Sequence, residues 1–297
     1  MDILENCILC PRNCRVNRRI GQKGFCGCDD KIKIARASLH FWEEPCISGK
    51  NGSGTVFFSN CNMRCVFCQN YKISTLGMGK TVDIYELSDI FISLWHQGAN
   101  NINLVTPTHF VPQIIEALAI AKDKGLNIPI IYNSGGYEKT ETVRMLDGII
   151  DVYLPDMKYF DDKYAIRYSN AANYFQIASK AIEEMFRQVG KCVFDENGII
   201  KKGVIVRHLM LPHLLFDSKK VIDYLYSVYK DDIFISIMNQ YTPLKTLPEK
   251  FPELNTKISQ KYYDTLIDYA VSSGIKNAYI QEGDTAKESF IPEFYDE

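Results

Sequence analysis

From residue 55 onward the hydrophobic positions of this chain switch repeatedly between two spacings, one near every second residue and one near every 3.6. Thr55-Val56-Phe57-Phe58 is a short β-rich run that predicts a strand. The spacing then predicts a helix from Asp83, with Ile84, Leu87, Ile90, Phe91 and Leu94 on one apolar stripe. Asp83 and Glu86 are placed as a capping pair at its start, and Gly98 marks its end. Strand 102–105, helix 110–125, strand 128–132, helix 138–146 and strand 149–154 follow. Beyond them the pattern predicts a helix over 173–189 and a hairpin turning at Asn197-Gly198. Strand 204–206, a helix from Asp217, strand 233–237, a helix over 256–273 closed by Gly274, and a short strand at 278–280 complete the series.

Strands that alternate with helices imply βαβ units and a parallel sheet, hence an α/β fold. Six or so units suit a barrel, open or closed, better than a two-layer flavodoxin-like sheet, although periodicity alone leaves the choice open. Residues 1–50 look different, being rich in Cys and Gly with little periodicity. They are expected to form a small metal-binding lobe, with 51–297 as the barrel domain.

Composition narrows the function classes. The 297 residues are 46% hydrophobic and 12% aromatic, which excludes a disordered chain. Lys and Arg number 34 against 36 Asp and Glu, so charge gives no case for nucleic acid or an anionic membrane. No apolar run approaches the roughly 18 residues of a membrane span. The start, Met1 to Cys7, lacks the basic and apolar regions of a signal peptide. The expectation is a soluble, cytoplasmic protein.

Nine of the ten cysteines fall in the first 68 residues. In a chain expected to be cytosolic, such clustering points to metal rather than to disulfides. Cys61, Cys65 and Cys68 are spaced Cys-x3-Cys-x2-Cys directly after the first predicted strand of the βα series. In parallel barrels that end of the strands carries the chemistry. Three thiolates on a short loop can hold a [4Fe–4S] cube and leave one iron without a protein ligand. A zinc ion with three Cys ligands and an outside fourth is the competing reading.

The loop resembles that of radical S-adenosylmethionine (SAM) enzymes, whose three cysteines share this spacing and carry an aromatic just before the third; Phe67 occupies that place. The stretch Gly54 to Asn70, with Asn103 to His109 and Leu154 to Tyr159, is similar to an uncharacterised branch grouped with pyruvate formate-lyase activating enzymes. The resemblance runs nearly end to end. It implies a partial (β/α)6-type barrel, a [4Fe–4S] cluster and SAM as cofactor. It also implies reductive cleavage of SAM to a 5′-deoxyadenosyl radical. An electron donor such as flavodoxin or ferredoxin is then expected, and a barrel mouth open to a protein or peptide substrate, as in glycyl-radical activases.

The remaining candidates stand at strand ends. Asp156-x-Lys158 matches an Asp-x-Lys that contacts SAM in the activators, and alternate residues on an extended chain point the same way. Lys158 would meet the SAM carboxylate and Asp156 an amino or ribose group; a solvent-exposed ion pair is the plainer alternative. Arg207 matches an Arg on the activators' next strand, and barrel packing accounts for it almost as well. Asn133 and Ser134, before Gly135-Gly136, are placed to bond a ribose, or else to form a turn. Thr106 stands where activators carry Gly-Gly-Glu, a departure from their pattern. His109 is expected to be structural, and Asn239-Gln240-Tyr241 falls where activators place further SAM contacts.

A second metal site is expected from Cys7, Cys10, Cys14 and Cys26, holding zinc or a second iron–sulfur centre, with Cys28 as a substitute ligand or a free thiol. Cys46 and Cys192 are expected to have no such role. A zinc-binding adaptor on a barrel scaffold, with both cysteine groups structural, is the reading from a different class; it leaves the Asp-x-Lys and Asn-Ser-Gly-Gly strand ends without a purpose.

Overall fold

The computed structural model describes residues 2–244 and 249–281. The end of the expected barrel domain, 282–297, lies outside them. In chain order the elements are β1 (Ile32–His40), α1 (Pro45–Ser48), β2 (Ser53–Phe58), α2 (Tyr71–Ser74), β3 (Lys80–Val82), α3 (Ile84–His96), β4 (Ile102–Val105), α4 (Val111–Asp123), β5 (Ile130–Ser134), α5 (Thr140–Arg144), β6 (Val152–Pro155), α6 (Asp162–Ser169), α7 (Tyr174–Val189), β7 (Val193–Phe194), β8 (Ile200–Leu209), α8 (Leu215–Tyr229), β9 (Phe234–Met238), α9 (Gln260–Ser272) and β10 (Ala278–Ile280).

One sheet runs in the order β10-β9-β8-β6-β5-β4-β2-β1-β3, with β7 hairpinned onto β8. From β2 to β10 along this path every neighbouring pair is parallel, while β1 joins β2 and β3 antiparallel. The ends, β10 and β3, are not neighbours in the sheet, so the barrel is partial. The strand β1 lies within the segment expected to be a separate lobe. Its residues pair with β2 from Ile34↔Phe58 to His40↔Ser53, so the sheet crosses the expected boundary near residue 50.

The period of two sorts each strand onto two faces. Ile102, Leu104, Ile130, Tyr132, Tyr153, Val204, Val206, Ile235 and Ile237 join the large core under the helices, with Leu87, Phe91, Ile114, Leu118, Ile182 and Leu225. Ile131, Val152, Leu154 and Ile205 form a separate inner cluster with Cys46 and Ile47 of α1. That short helix closes the N-terminal end of the strands. Asn101 Nδ2 donates to the Ile47 carbonyl (2.9 Å) and Asn100 Nδ2 to that of Ser48 (2.7 Å).

Local signals explain most boundaries. Asp83 and Glu86 form both bonds of a capping box on α3, each 2.8 Å. At the Asn197-Gly198 turn, Asp195 Oδ1 accepts from the backbone N–H of Asn197 and Ile199, and Gly198 has φ +75°. The helix expected from residue 138 begins only at Thr140, because Glu138 turns inward to bond neighbouring hydroxyls. Among the described residues no helix is long and apolar enough to cross a membrane.

Candidate functional site

Residues 59–70 form the loop that leaves β2, and the fold holds it on several sides. Asn60 N–H donates to Ile73 (2.7 Å) and Val66 N–H to Tyr168 on α6 (2.8 Å). Gln69 Nε2 reaches the Gln240 carbonyl past β9 (2.9 Å), and Phe67 packs edge-on against Tyr241. Asn60 and Arg64 adopt left-handed backbone, at φ +73° and +62°.

Each sulfur of the loop receives a hydrogen bond. Met63 N–H donates to Cys61 Sγ (3.4 Å), the Ser169 hydroxyl to Cys65 Sγ (2.9 Å), and the Ser74 hydroxyl to Cys68 Sγ (3.3 Å). Donors aimed at sulfur favour the thiolate, the form that binds metal. Burial works the other way in the bare protein, raising the Cys61 thiol and pushing Cys65 up to about 12. The adjacent Lys158 charge counters part of that effect. A thiol held protonated by burial loses its proton when a metal coordinates it.

The ends of β5 and β6 meet over this loop. A Cβ on Gly135 would lie 2.9 Å from Met63 Sδ and 3.9 Å from Lys158 Cε, so a larger residue there would push the Met63 side chain aside. The Tyr174 hydroxyl on α7 donates toward the carbonyls of Gly135 and Asp156, both at 2.9 Å, and accepts from Lys158 N–H at 3.0 Å. One side chain thereby fixes both strand ends. Lys158 Nζ is ion-paired to Asp156 Oδ2. Burial acts against the Lys158 charge, yet Asp156 and Cys65 push its pKa above the ordinary lysine range. The cation therefore persists beside the thiol loop. Both side chains are largely buried, not the solvent-exposed pair that was the plainer alternative.

Thr106 follows β4 with φ +58°, an unusual backbone for a β-branched residue, and its N–H donates to the Asn133 carbonyl (2.8 Å). Asn133 shares the inward side of β5 with Ile131, whereas Ser134 lies on the Tyr132 side. The Ser134 hydroxyl accepts from Gly136 N–H (3.3 Å) and bonds Glu138, which places it in the turn rather than at the loop.

Arg207 is placed differently from the Asp156–Lys158 pair. Its backbone bridges Asp156, but its guanidinium runs to two carboxylates of the β1–α1 connection. Nε donates to Glu44 Oε1 (2.8 Å), and the terminal nitrogen bonds Glu44 Oε2 (2.6 Å) and Glu43. Asn103 Nδ2 also donates to Glu43 Oε1 (3.1 Å). Arg207 thus anchors the N-terminal closure of the barrel. His109 is buried and structural: Ser59 carbonyl lies 2.8 Å from Nε2, and burial lowers its pKa to about 3.

Among the N-terminal cysteines, Cys7 packs with Leu4, Leu9 and Val16, while Cys10 has Cys14 and Cys26 as electrostatic neighbours. Cys46 belongs to the inner apolar cluster, with Cys192 packed against it. Among the described residues no three His, Cys, Asp or Glu side chains gather around a point that one metal ion would fill. A [4Fe–4S] cube instead spreads its thiolates over several irons. The donors converging on Cys61, Cys65 and Cys68 fit such a group.

Ser74, Ser169 and Tyr174 were not recognisable from sequence. Each reaches the site from another element, and none sits in a motif.

The Radical SAM superfamily profile matches residues 55–202. An uncharacterized protein of Methanocaldococcus jannaschii is 31% identical over 281 residues, covering 91% of this chain and 75% of that protein. Two solved structures share the fold. SuiB of Streptococcus suis aligns at TM-score 0.50 with 13% identity, over 78% of this chain and 48% of SuiB, so the chain spans about half of that protein. Methylornithine synthase aligns at 0.50 with 13% identity, over 76% of this chain and 70% of its own. The profile covers β2, the three-cysteine loop and the strand ends that meet over it, and the chain belongs to the radical SAM superfamily.

Proposed function

We propose that this protein binds a [4Fe–4S] cluster through Cys61, Cys65 and Cys68 and uses it to cleave SAM reductively. The observation that carries the reading is the set of three hydrogen bonds, one to each sulfur of the loop, from Met63, Ser74 and Ser169. When bound, the cluster supplies the electron that splits the sulfonium–carbon bond.

The chain's own residues bind and orient SAM. Lys158, kept charged by Asp156, meets the SAM carboxylate. Gly135 lets the backbone approach the ligand, and Tyr174 holds it in place. Thr106, strained at the end of β4, and the inward Asn133 present polar groups to the amino and ribose parts. Arg207 sets the floor of the barrel through Glu43 and Glu44.

The finer reading is a glycyl-radical activase-like enzyme, with a protein or peptide as hydrogen donor and flavodoxin or ferredoxin as electron source. The shared Asp156-x-Lys158 and the open sheet support it. The test is electron paramagnetic resonance of the anaerobically reconstituted, reduced protein. A cluster signal that changes on adding SAM is the expected result; a colourless zinc protein indifferent to SAM would support the adaptor instead.

A further inference from the structure

The N-terminal segment carries a second concentration of sulfur, and its surroundings are built for negative charge. Two of its sulfurs receive an N–H donor. Phe25 N–H donates to Cys14 Sγ (3.2 Å) and Asn60 Nδ2 to Cys28 Sγ (3.1 Å). The backbone N–H groups of Arg12 and Cys28 lie close enough to Cys10 and Cys26 to favour their thiolates, and Cys26 and Cys28 lie close enough to each other to share a proton. Cys10 has both Cys14 and Cys26 as neighbours. At Gly24 a Cβ would stand 2.8 Å from Cys14 Sγ, so glycine leaves room for the sulfur.

Two guanidinium groups face the same place. Arg12 and Arg64 stack on the Phe25 ring, at 3.8 and 4.9 Å. Arg64 reaches to 3.7 Å from where a Cβ on Gly27 would sit, between Cys26 and Cys28. A terminal nitrogen of Arg12 and Nε of Arg64 are buried without a hydrogen-bond partner. Among the described residues neither side chain has a carboxylate within ion-pair distance. Both residues are half-buried, each with one buried nitrogen that has no hydrogen-bond partner, and a metal–thiolate centre beside them supplies the counter-charge that such a cation favours. Free thiols do not.

We infer that Cys10, Cys14, Cys26 and Cys28 hold a second, polynuclear iron–sulfur centre, with Arg12 and Arg64 balancing its charge. Cys7 packs in a separate small cluster with Leu4, Leu9 and Val16, away from the core that holds Cys26 and Cys28, and falls outside the inferred ligand set. A single tetrahedral ion requires sulfurs about 3.8 Å apart around one point, and no three side chains gather in that way among the described residues. The centre stands beside the first loop: Asn60, which bonds Cys28, precedes Cys61, and Arg12 Nε donates to the Asn62 carbonyl (2.8 Å).

The test uses the full chain with Cys61, Cys65 and Cys68 all replaced by Ser, so that only the N-terminal metal is counted. This background is reconstituted anaerobically with ferrous iron and sulfide, in parallel with zinc, and metal, sulfide and visible absorption are measured. Retained iron and sulfide in equal amounts, about two to four of each per chain, is the expected result. Adding Cys28→Ser or Cys10→Ser removes them, while adding Cys7→Ser leaves them unchanged, each variant being verified as folded by circular dichroism. Zinc held without sulfide, no metal retained, or loss through Cys7→Ser equal to that through Cys28→Ser would overturn the assignment. Because the three thiols of the Cys61 loop are replaced throughout, failure here is separate from failure of the proposed SAM chemistry.

Discussion

Gly136 lies so close to Asp156 that a Cβ on it would stand 2.0 Å from the Asp156 carbonyl oxygen, and its φ is +76°. Two strand ends therefore close over the cysteine loop only because this residue has no side chain. Gly136→Ala is expected to cost about 2–4 kcal/mol, combining backbone strain with overpacking. Denaturant unfolding measures the loss, and SAM binding should fall with it, since Asp156 and Lys158 move.

Lys158→Ala is expected to weaken SAM binding at least tenfold, about 1.4 kcal/mol, while cluster content after reconstitution stays near wild type. Lys158→Arg restores binding only in part, because a planar guanidinium does not replace a compact ammonium at a buried carboxylate. Titration calorimetry on the reconstituted protein separates the two effects.

Arg207→Ala leaves the buried Glu43 and Glu44 without their cation, for a loss of about 3–5 kcal/mol. Adding Glu43→Gln and Glu44→Gln to the same protein recovers most of it, measured by denaturant unfolding.

Much of the fold and part of the site were legible in the sequence. The helix at Asp83 had a stripe, a capping pair and a stop residue, and all three were found. Cysteine spacing, Phe67 and the position after the first strand marked the loop. Alternation at the start of β1, with Ile32 and Ile34 buried and Lys33 between them less so, was present but hidden in a Cys-rich segment. The pairing of Arg207 with Glu43 and Glu44 spans more than 160 positions and leaves no local pattern. The same holds for Ser169 on Cys65 and for Tyr174 on Asp156. Such contacts are set by how strands and helices pack, and residue spacing does not encode them.

Glu138 provides a pH test. Burial pushes its pKa up to about 7 from 4.5, against hydrogen bonds from Thr108, Tyr132 and Ser134. A carboxyl raised on folding binds its proton more tightly in the native state, so its stabilising contribution is complete below about pH 4.5 and is lost as pH rises to 7. His109 and His208 act oppositely, since burial lowers them to about 3 and 4. In the metal-free protein, Cys10, the thiol that faces Glu138, is pushed up to about 12 by burial and does not titrate in this range. The difference between wild type and Glu138→Gln isolates the carboxyl. From pH 5 to 7 wild type should lose stability relative to the variant, approaching about 1.4 kcal/mol per pH unit.

The most direct test of the account is the formation of 5′-deoxyadenosine. Wild-type protein and Cys65→Ala are reconstituted anaerobically with iron and sulfide, reduced with dithionite and incubated with SAM. Wild type should form 5′-deoxyadenosine and methionine in equal amounts, and Cys65→Ala should form none. Intact SAM with a fully loaded wild-type cluster, or normal cleavage by Cys65→Ala, would contradict it.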